Sequence, residues 1–151
     1  MRGVGVGITL SHIGICVSDM ERSVRFYVDG LGFEPVVDYE VGPEYGALME
    51  VESPRVASRF LRRDGVSIEL LQFLEPGHVG DGTRRPMNRL GLTHLCLRVD
   101  DVDEAADAIR AAGGTVLDGT RPRTDLGGGA VTDFVYCTDP DGIRVELMHL
   151  P

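Results

Sequence analysis

Two histidines and two glutamates of this 151-residue chain have the residue types and surroundings of metal ligands. His12 and His94 each lie in a run of alternating aliphatic residues. Glu69 and Glu146 each interrupt an apolar run, Ile-Glu-Leu-Leu and Val-Glu-Leu-Met. A carboxylate in such a run is costly to bury unless a positive charge compensates it. A divalent cation bound by these imidazole and carboxylate groups in one cavity would supply that charge.

The four residues occupy matching positions in an internal repeat. Residues 11–20 align with residues 93–102 at an offset of 82, and residues 65–71 align with residues 142–148 at an offset of 77. A single histidine on a strand is more often structural than a ligand. Here, however, two of only four histidines recur together with one glutamate of each closing strand. This joint recurrence favours a metal site.

The repeat predicts two modules that pack into one domain. Each half is too short to build a comfortable core alone, so we expect a single domain over residues 1–151 in which the halves share a sheet or an interface. The modules are predicted to cover residues 8–74 and 91–150. Residues 75–90, rich in glycine and proline, are the predicted linker.

Each module is predicted to have the element order βαβββ. Ser18 and Asp101 each stand three residues before a glutamate, which is capping-box spacing and predicts the start of a helix. Gly30 and Gly113 are expected to be left-handed caps at the helix ends. Residues 43–52 are ambiguous and compatible with a short helical turn. Strands are predicted at residues 8–17, 33–39, 56–63 and 66–73, and at 92–99, 115–118, 130–138 and 143–149.

Strand alternation decides which side chains share a face with the histidines. His12 shares its face with Gly14 and Cys16, and His94 shares its face with Cys96 and Arg98. The opposite, aliphatic faces are expected to pack under the helices. Both cysteines are predicted to be buried strand residues and not thiolate ligands.

Basic side chains near the second module are candidates for substrate binding. Arg98 is predicted either to bind an anionic substrate or to pair with Glu146. Arg84, Arg85 and Arg89 form a basic cluster in the linker. They are interpreted either as solvated linker residues or as an anchor for a carboxylate or phosphate group.

Three further features are predicted to lie outside the ligand set. His78 is expected to be solvated in the linker, and His149 faces away from Glu146 by strand alternation. Residues 127–129 are three consecutive glycines, which indicate either a hairpin connection or a mobile flap over the site.

Composition excludes several function classes. The chain has 15 Lys and Arg against 24 Asp and Glu, a net charge of −9, which argues against a nucleic-acid partner. No apolar run approaches the roughly 18 residues of a membrane span, so no membrane partner is expected. The three cysteines are widely spaced and odd in number, which favours a reducing, cytoplasmic location over a disulfide framework.

The chain resembles the vicinal oxygen chelate superfamily over residues 8–150. This superfamily includes glyoxalase I, methylmalonyl-CoA epimerase, extradiol dioxygenases and the fosfomycin and bleomycin resistance proteins. The resemblance is carried by SHIGICVSD at residues 11–19, THL at 93–95 and DPDGIRVEL at 139–147. It implies an α+β fold in which two βαβββ modules form a cupped mixed sheet around a metal. Matched position by position, it implies the ligands His12, Glu69, His94 and Glu146.

The resemblance also implies a reaction type. Dioxygenases and fosfomycin-type transferases use the equivalents of His12, His94 and Glu146, whereas glyoxalase and epimerase relatives add a ligand at the position of Glu69. The pattern therefore implies a divalent cofactor, Ni, Co, Zn, Mn or Fe, in an isomerase or lyase. Such an enzyme transfers a proton next to a metal-polarised carbonyl or enediolate oxygen of a small substrate. Glu146, with Glu69 as its counterpart, is the implied catalytic proton carrier.

Two other functions stay open from the sequence. One is an Fe(II) extradiol-type dioxygenase, and the other is a metal-free protein that sequesters a drug or other ligand, which predicts lost ligands. Residues 70–76 depart from the glyoxalase I pattern, and residues 125–130 depart from the methylmalonyl-CoA epimerase pattern. The resemblance therefore implies no particular small-molecule substrate.

The expected oligomer is a homodimer. Relatives differ in whether the two modules of one chain complete the site or whether modules of two chains do so. In the second case, His12 and Glu69 of one subunit would meet His94 and Glu146 of the other.

Overall fold

The computed structural model describes residues 7–151, and residues 1–6 of the predicted domain lie outside the described residues. The first half of the chain forms a four-stranded sheet in the order β1-β4-β3-β2, with β1 parallel to β4 and the other pairs antiparallel. Its strands are β1 Ile13–Cys16, β2 Glu34–Val41, β3 Arg55–Arg63 and β4 Val66–Glu75.

The second half repeats this arrangement with one edge divided in two. Its strands are β5 Leu95–Arg98, β6 Thr115–Leu117, β7 Arg123–Gly127, β8 Ala130–Thr138 and β9 Arg144–His149. The order is β5-β9-β8-β6, and β7 also pairs with β8. β6 and β7 follow each other along one edge of β8, the position that β2 has beside β3. The predicted α+β class with mixed sheets is confirmed.

Strand β7 was not predicted from the sequence. All five of its residues are exposed, so it lacks the apolar alternation of a half-buried strand. It turns into β8 through Gly127, Gly128 and Gly129, all with φ between +64° and +86°, a region that favours glycine. These glycines therefore form a hairpin connection.

The helical elements are short. Helix α1 covers Met20–Arg25 and continues as a π-helical turn over Phe26–Gly30. A 3-10 turn at Pro43–Tyr45 leads into α2 at Gly46–Met49, where the sequence was ambiguous. Helix α3 covers Val102–Ala111, and a last 3-10 turn covers Asp118–Thr120. Among the described residues, no helix has the length and apolarity to cross a membrane.

Two of the predicted helix ends differ in the structure. Asp19, not Ser18, caps α1 by accepting a hydrogen bond from the backbone N–H of Arg22 at 2.8 Å. Gly30 is not left-handed; a Cβ placed on it would lie 2.8 Å from the Cβ of Ala112, so its role is close packing against the end of α3. The predicted cap of α3 by Asp101 and the left-handed Gly113, with φ +87°, are confirmed.

Side chains from both halves form one hydrophobic core. Phe26 and Tyr27 of the π-helical turn are fully buried, as are Leu70 of β4 and Ile109 of α3. The aliphatic faces of both sheets point into this core, as predicted from strand alternation. The opposite face of each sheet is therefore left open, and it carries the histidines.

Candidate metal centre

On both sheets, residues of the face that carries the histidines remain exposed. Ile15 is buried on the core side of β1, whereas its neighbours Gly14 and Cys16 are exposed. Cys96 of β5 is also exposed. The prediction that Cys16 and Cys96 are buried is therefore wrong, and the reason is that burial on this face requires a second layer. Cys137, on the core side of β8, is buried.

The first half of the chain brings His12 and Glu69 together. His12 directly precedes β1, and its Nε2 lies 3.0 Å from Oε2 of Glu69 on β4. The other ring nitrogen, Nδ1, lies 3.0 Å from the hydroxyl of Ser11. The ring of Phe60, which stands opposite Glu69 in the β3–β4 register, contacts the His12 ring edge-on at 4.9 Å between centroids. The imidazole is therefore fixed on three sides.

The second half repeats this arrangement atom for atom. Nε2 of His94 lies 3.1 Å from Oε2 of Glu146, and its Nδ1 lies 2.9 Å from the hydroxyl of Thr93. The ring of Tyr136, opposite Glu146 in the β8–β9 register, contacts the His94 ring at 5.4 Å. Neither hydroxyl was among the residues predicted from the sequence, although the repeat places one directly before each histidine.

The surroundings of the two carboxylates differ. Oε1 of Glu69 accepts a hydrogen bond from the buried hydroxyl of Ser58 at 2.6 Å and lies 3.4 Å from the hydroxyl of Tyr39. Glu146 is instead paired across strands with Cys96. Partial burial and, second, the neighbouring Glu146 carboxylate raise the pKa of the Cys96 thiol to about 11. The Cys96 thiol is therefore protonated at neutral pH. Glu69 is the more firmly held carboxylate, because a buried hydroxyl donates to its Oε1.

Both pairs have the donor chemistry of a divalent cation site. A hydroxyl on Nδ1 of each histidine leaves Nε2 directed at the carboxylate, as in histidines that ligate a metal through Nε2. The separations of 3.0 and 3.1 Å between Nε2 and Oε2 are direct ring-to-carboxylate contacts, so each histidine presents its ligand nitrogen beside a ligand oxygen. The residues present therefore fit a metal.

The two pairs stay separate within one chain. In the part of the chain that the structure describes, no three His, Cys, Asp or Glu side chains form a group able to hold a metal. Surface depressions lie elsewhere, one beside Gly32 and residues 62–65 and one between Asp100 and Pro151. Neither is lined by His12, Glu69, His94 or Glu146. The two His–Glu pairs therefore lie apart from each other in the described part of the chain.

The remaining candidates lie apart from the pairs. Arg98 donates a hydrogen bond to the backbone oxygen of Leu150 at 3.3 Å and makes no ion pair with Glu146. Arg85 donates to the backbone oxygen of Leu90 at 2.6 Å, within the exposed linker. His78 is exposed. The Arg85 side chain therefore contacts the linker itself, and neither it nor Arg98 bonds to either His–Glu pair.

Relatives align with more than nine tenths of the chain. The 2-epi-5-epi-valiolone epimerase of Actinomyces sp is 29% identical, covering 99% of this chain and 84% of the relative. The ethylmalonyl-CoA/methylmalonyl-CoA epimerase of Cereibacter sphaeroides is 30% identical over 91% of this chain and 95% of its own. The lactoylglutathione lyase of Haemophilus influenzae is 29% identical over 91% and 90%.

Solved structures share the fold. A glyoxalase family protein from Bacillus cereus superposes with a TM-score of 0.80 at 19% identity, covering 99% of both chains. The fosfomycin resistance protein FosX from Listeria monocytogenes superposes with a TM-score of 0.61 at 20% identity, covering 95% of this chain and 92% of its own. The model of the Glyoxalase/Bleomycin resistance protein/Dioxygenase superfamily matches residues 9–147. The chain belongs to this superfamily.

Proposed function

We propose that the protein is a divalent-metal-dependent enzyme of the epimerase or lyase type, which transfers a proton at a carbon next to a carbonyl group. The observation that carries this proposal is the duplicated pair, His12 with Glu69 and His94 with Glu146, each with a hydroxyl on Nδ1 of its histidine. A metal-free binding protein has no need to keep these four side chains and their supporting hydroxyls. The names of the relatives from Actinomyces, Cereibacter and Haemophilus point in the same direction.

Four residues would hold the cation: His12, Glu69, His94 and Glu146. A bound divalent cation supplies Lewis-acid polarisation of a substrate carbonyl oxygen, which acidifies the proton on the adjacent carbon. Ser58 holds Oε1 of Glu69 in place, so this carboxylate is suited to a fixed role. Glu146 accepts no hydroxyl hydrogen bond among the described residues; besides His94, its neighbour is the Cys96 thiol, which is a weak hydrogen-bond donor. We therefore assign proton transfer to Glu146, with Glu69 as its less mobile counterpart.

The proposed site is shared between two subunits of a homodimer. Each chain carries two half-sites on open sheet faces, and a four-ligand site requires that one pair meets the other. Exposed apolar side chains also remain on and near β2, as expected for a surface that a second copy covers. They are Val36, Val37, Tyr39 and Leu48. A two-fold dimer would bring the first half of each chain against the second half of its partner.

The first experiment tests metal and proton chemistry together. Protein loaded with Co²⁺ or Ni²⁺ is analysed for metal content and then incubated in D₂O with methylmalonyl-CoA, lactoylglutathione or 2-epi-5-epi-valiolone. We expect stoichiometric metal and deuterium at the carbon beside the carbonyl of at least one compound. His94→Ala should lose both, and His78→Ala, in the exposed linker, should lose neither. Absence of metal from the loaded wild-type protein, or of deuterium from all three compounds, overturns the proposal.

The second experiment tests the shared site. One variant combines His12→Ala with Glu69→Gln, and the other combines His94→Ala with Glu146→Gln. Each homodimer should bind no metal at the site. When the two variants are unfolded together and refolded, about half of the dimers should be mixed. Each mixed dimer has one intact four-ligand site of its two, so about a quarter of the metal sites should return. If the site forms within one chain, the refolded mixture should bind no metal, like each variant alone.

A further inference from the structure

Arg144 is a buried arginine that forms no ion pair with any described residue. Its residue surface is only 8% exposed, and it lies on β9 two positions before Glu146, so both side chains are on the same face of the strand. One Nη donates a hydrogen bond of 3.0 Å to the backbone oxygen of Arg85 in the linker. Among the described residues, no carboxylate lies within 4.0 Å of the guanidinium. A buried charge in this situation is destabilising unless an anion compensates it.

The ring of Tyr136 contacts both Arg144 and the histidine of the His94–Glu146 pair. The guanidinium carbon of Arg144 lies 5.6 Å from the ring centroid of Tyr136, within cation–π distance. The same ring contacts His94 at 5.4 Å. Of the hydrogen bonds in the described part of the chain, none involves the Tyr136 hydroxyl, so this group is available to a ligand. The Tyr136 ring thus contacts both the Arg144 guanidinium and the His94 imidazole, and Tyr136 stands opposite Glu146 in the β8–β9 register.

In the first half of the chain, neither of these two groups stands at the matching strand position. Phe60 takes the place of Tyr136 in the strand register and keeps the ring contact with its histidine, but it has no hydroxyl. Ser67, two positions before Glu69, takes the place of Arg144. The His12–Glu69 and His94–Glu146 pairs are therefore alike in the two halves, whereas the residues beside them differ. Arg62, which stands opposite Ser67 on β3, is exposed, so a buried guanidinium lies beside the second pair and an exposed one beside the first. This difference would orient an asymmetric substrate in one direction.

We propose that Arg144 and Tyr136 form an oxyanion-binding subsite next to the His94–Glu146 pair. Its ligand is a carboxylate or phosphate group, because the planar guanidinium offers two parallel N–H donors to either group and the phenol adds a third donor. A partly buried position strengthens these hydrogen bonds relative to water. The claim that this oxyanion is part of the substrate rests on the proposed function. The binding of an anion by Arg144 and Tyr136 does not depend on it.

The test uses the full-length, metal-free protein, so that it is independent of metal chemistry. Inorganic phosphate and pyruvate are titrated separately by calorimetry into the wild type and into Arg144→Gln, Arg144→Lys and Tyr136→Phe. We expect the wild type to bind at least one of the two anions. Binding of inorganic phosphate identifies a phosphate group as the ligand, and binding of pyruvate identifies a carboxylate. Arg144→Gln should weaken binding at least tenfold and Tyr136→Phe several-fold. Arg144→Lys should fall between wild type and Arg144→Gln.

The matched control is Arg62→Gln, which removes an exposed arginine beside Ser67 in the first half. Its affinity for both anions should equal that of the wild type. A purely structural Arg144, which only ties down the linker through Arg85, would lower the melting temperature in Arg144→Gln while leaving Tyr136→Phe with wild-type affinity. That result, or a wild type that binds neither anion, overturns the proposal. Loss of metal binding in the experiments above, with anion binding intact, would refute only the metal-dependent function.

Discussion

The hydroxyl of Tyr27 donates a hydrogen bond of 3.0 Å to Oδ2 of Asp139, and both residues are buried. Tyr27 belongs to the π-helical turn of the first half, whereas Asp139 follows β8 in the second half. Oδ1 of Asp139 accepts two further hydrogen bonds, from the backbone N–H groups of Asp141 and Ile143. This contact joins the two halves of the chain through one buried carboxyl group.

Asp139→Asn should remove a pH-dependent loss of stability. Burial raises the pKa of Asp139 from 3.8 to about 6, against the hydrogen bonds that lower it. The folded state therefore holds this proton more tightly than the unfolded state, so the stabilisation is complete below pH 3.8 and is lost as the pH rises through about 6. The loss is on the order of 3 kcal/mol.

Asparagine can keep the hydrogen-bond geometry at this position because its oxygen accepts the two backbone N–H groups and its amide faces the Tyr27 hydroxyl. Urea unfolding at pH 4, 5, 6 and 7 measures the free energy of unfolding of both proteins. Relative to the wild type, the free energy of unfolding of Asp139→Asn should increase as the pH rises from 4 to 7. A difference that is constant with pH would contradict the prediction.

Thr93→Val should weaken metal binding without unfolding the protein. The Thr93 hydroxyl contacts Nδ1 of His94 at 2.9 Å, and removal of such a supporting group typically lowers metal affinity by about 10- to 100-fold. Valine has nearly the same shape, so the strand should be preserved. The Co²⁺ affinity is measured by competition with a chelator. Thr115→Val, at an exposed position of β6, is the control and should bind Co²⁺ as the wild type does.

Asp141→Ala should destabilise the contact between the two halves. The Asp141 carboxylate accepts hydrogen bonds from the backbone N–H and the hydroxyl of Ser18, at 2.8 and 2.6 Å, and from Arg22 at 2.7 Å. The part-buried N–H of Ser18 would be left without its acceptor, which costs about 1 to 3 kcal/mol in the free energy of unfolding. Urea unfolding at pH 7 provides the measurement.

The control for this prediction is Asp107→Ala, which breaks a 2.9 Å ion pair with Arg110 on the exposed side of α3. Exposed pairs of this kind contribute little, so the unfolding midpoint should stay at the wild-type value. Equal losses in Asp141→Ala and Asp107→Ala would show that Asp141 acts only as a surface charge.

Gly114→Ala should destabilise the packing of α3 against the first half. A Cβ on Gly114 would overlap the ring of Phe26 and would lie 2.8 Å from both Ile109 Cγ2 and the backbone oxygen of Thr138. Overpacking of this kind lowers the free energy of unfolding by about 1 to 3 kcal/mol. Gly119→Ala meets no atom within 4 Å and should be neutral or slightly stabilising. Thermal unfolding of both variants distinguishes the two cases, and equal melting temperatures would contradict the prediction.

The sequence by itself predicted the two halves and the four residues of the mixed strand faces, His12, Glu69, His94 and Glu146. The alternation of a strand is local, so the repeat of His12 and His94 with Glu69 and Glu146 was enough to place each histidine and its glutamate on one face. The cap of α3 at Asp101 and the left-handed Gly113 are local for the same reason.

Only the tertiary structure decided what covers each face and what each polar side chain meets. Ser18 has the spacing of a helix cap, but its hydroxyl donates to Asp141, which is 123 residues away in the chain. Cys16 is exposed because no described segment packs over it, and Arg144 is buried because the linker folds back onto it. Both outcomes reverse what the residue types suggest. Such contacts join residues distant in sequence, and their energy depends on the packing of the halves, which no local pattern encodes.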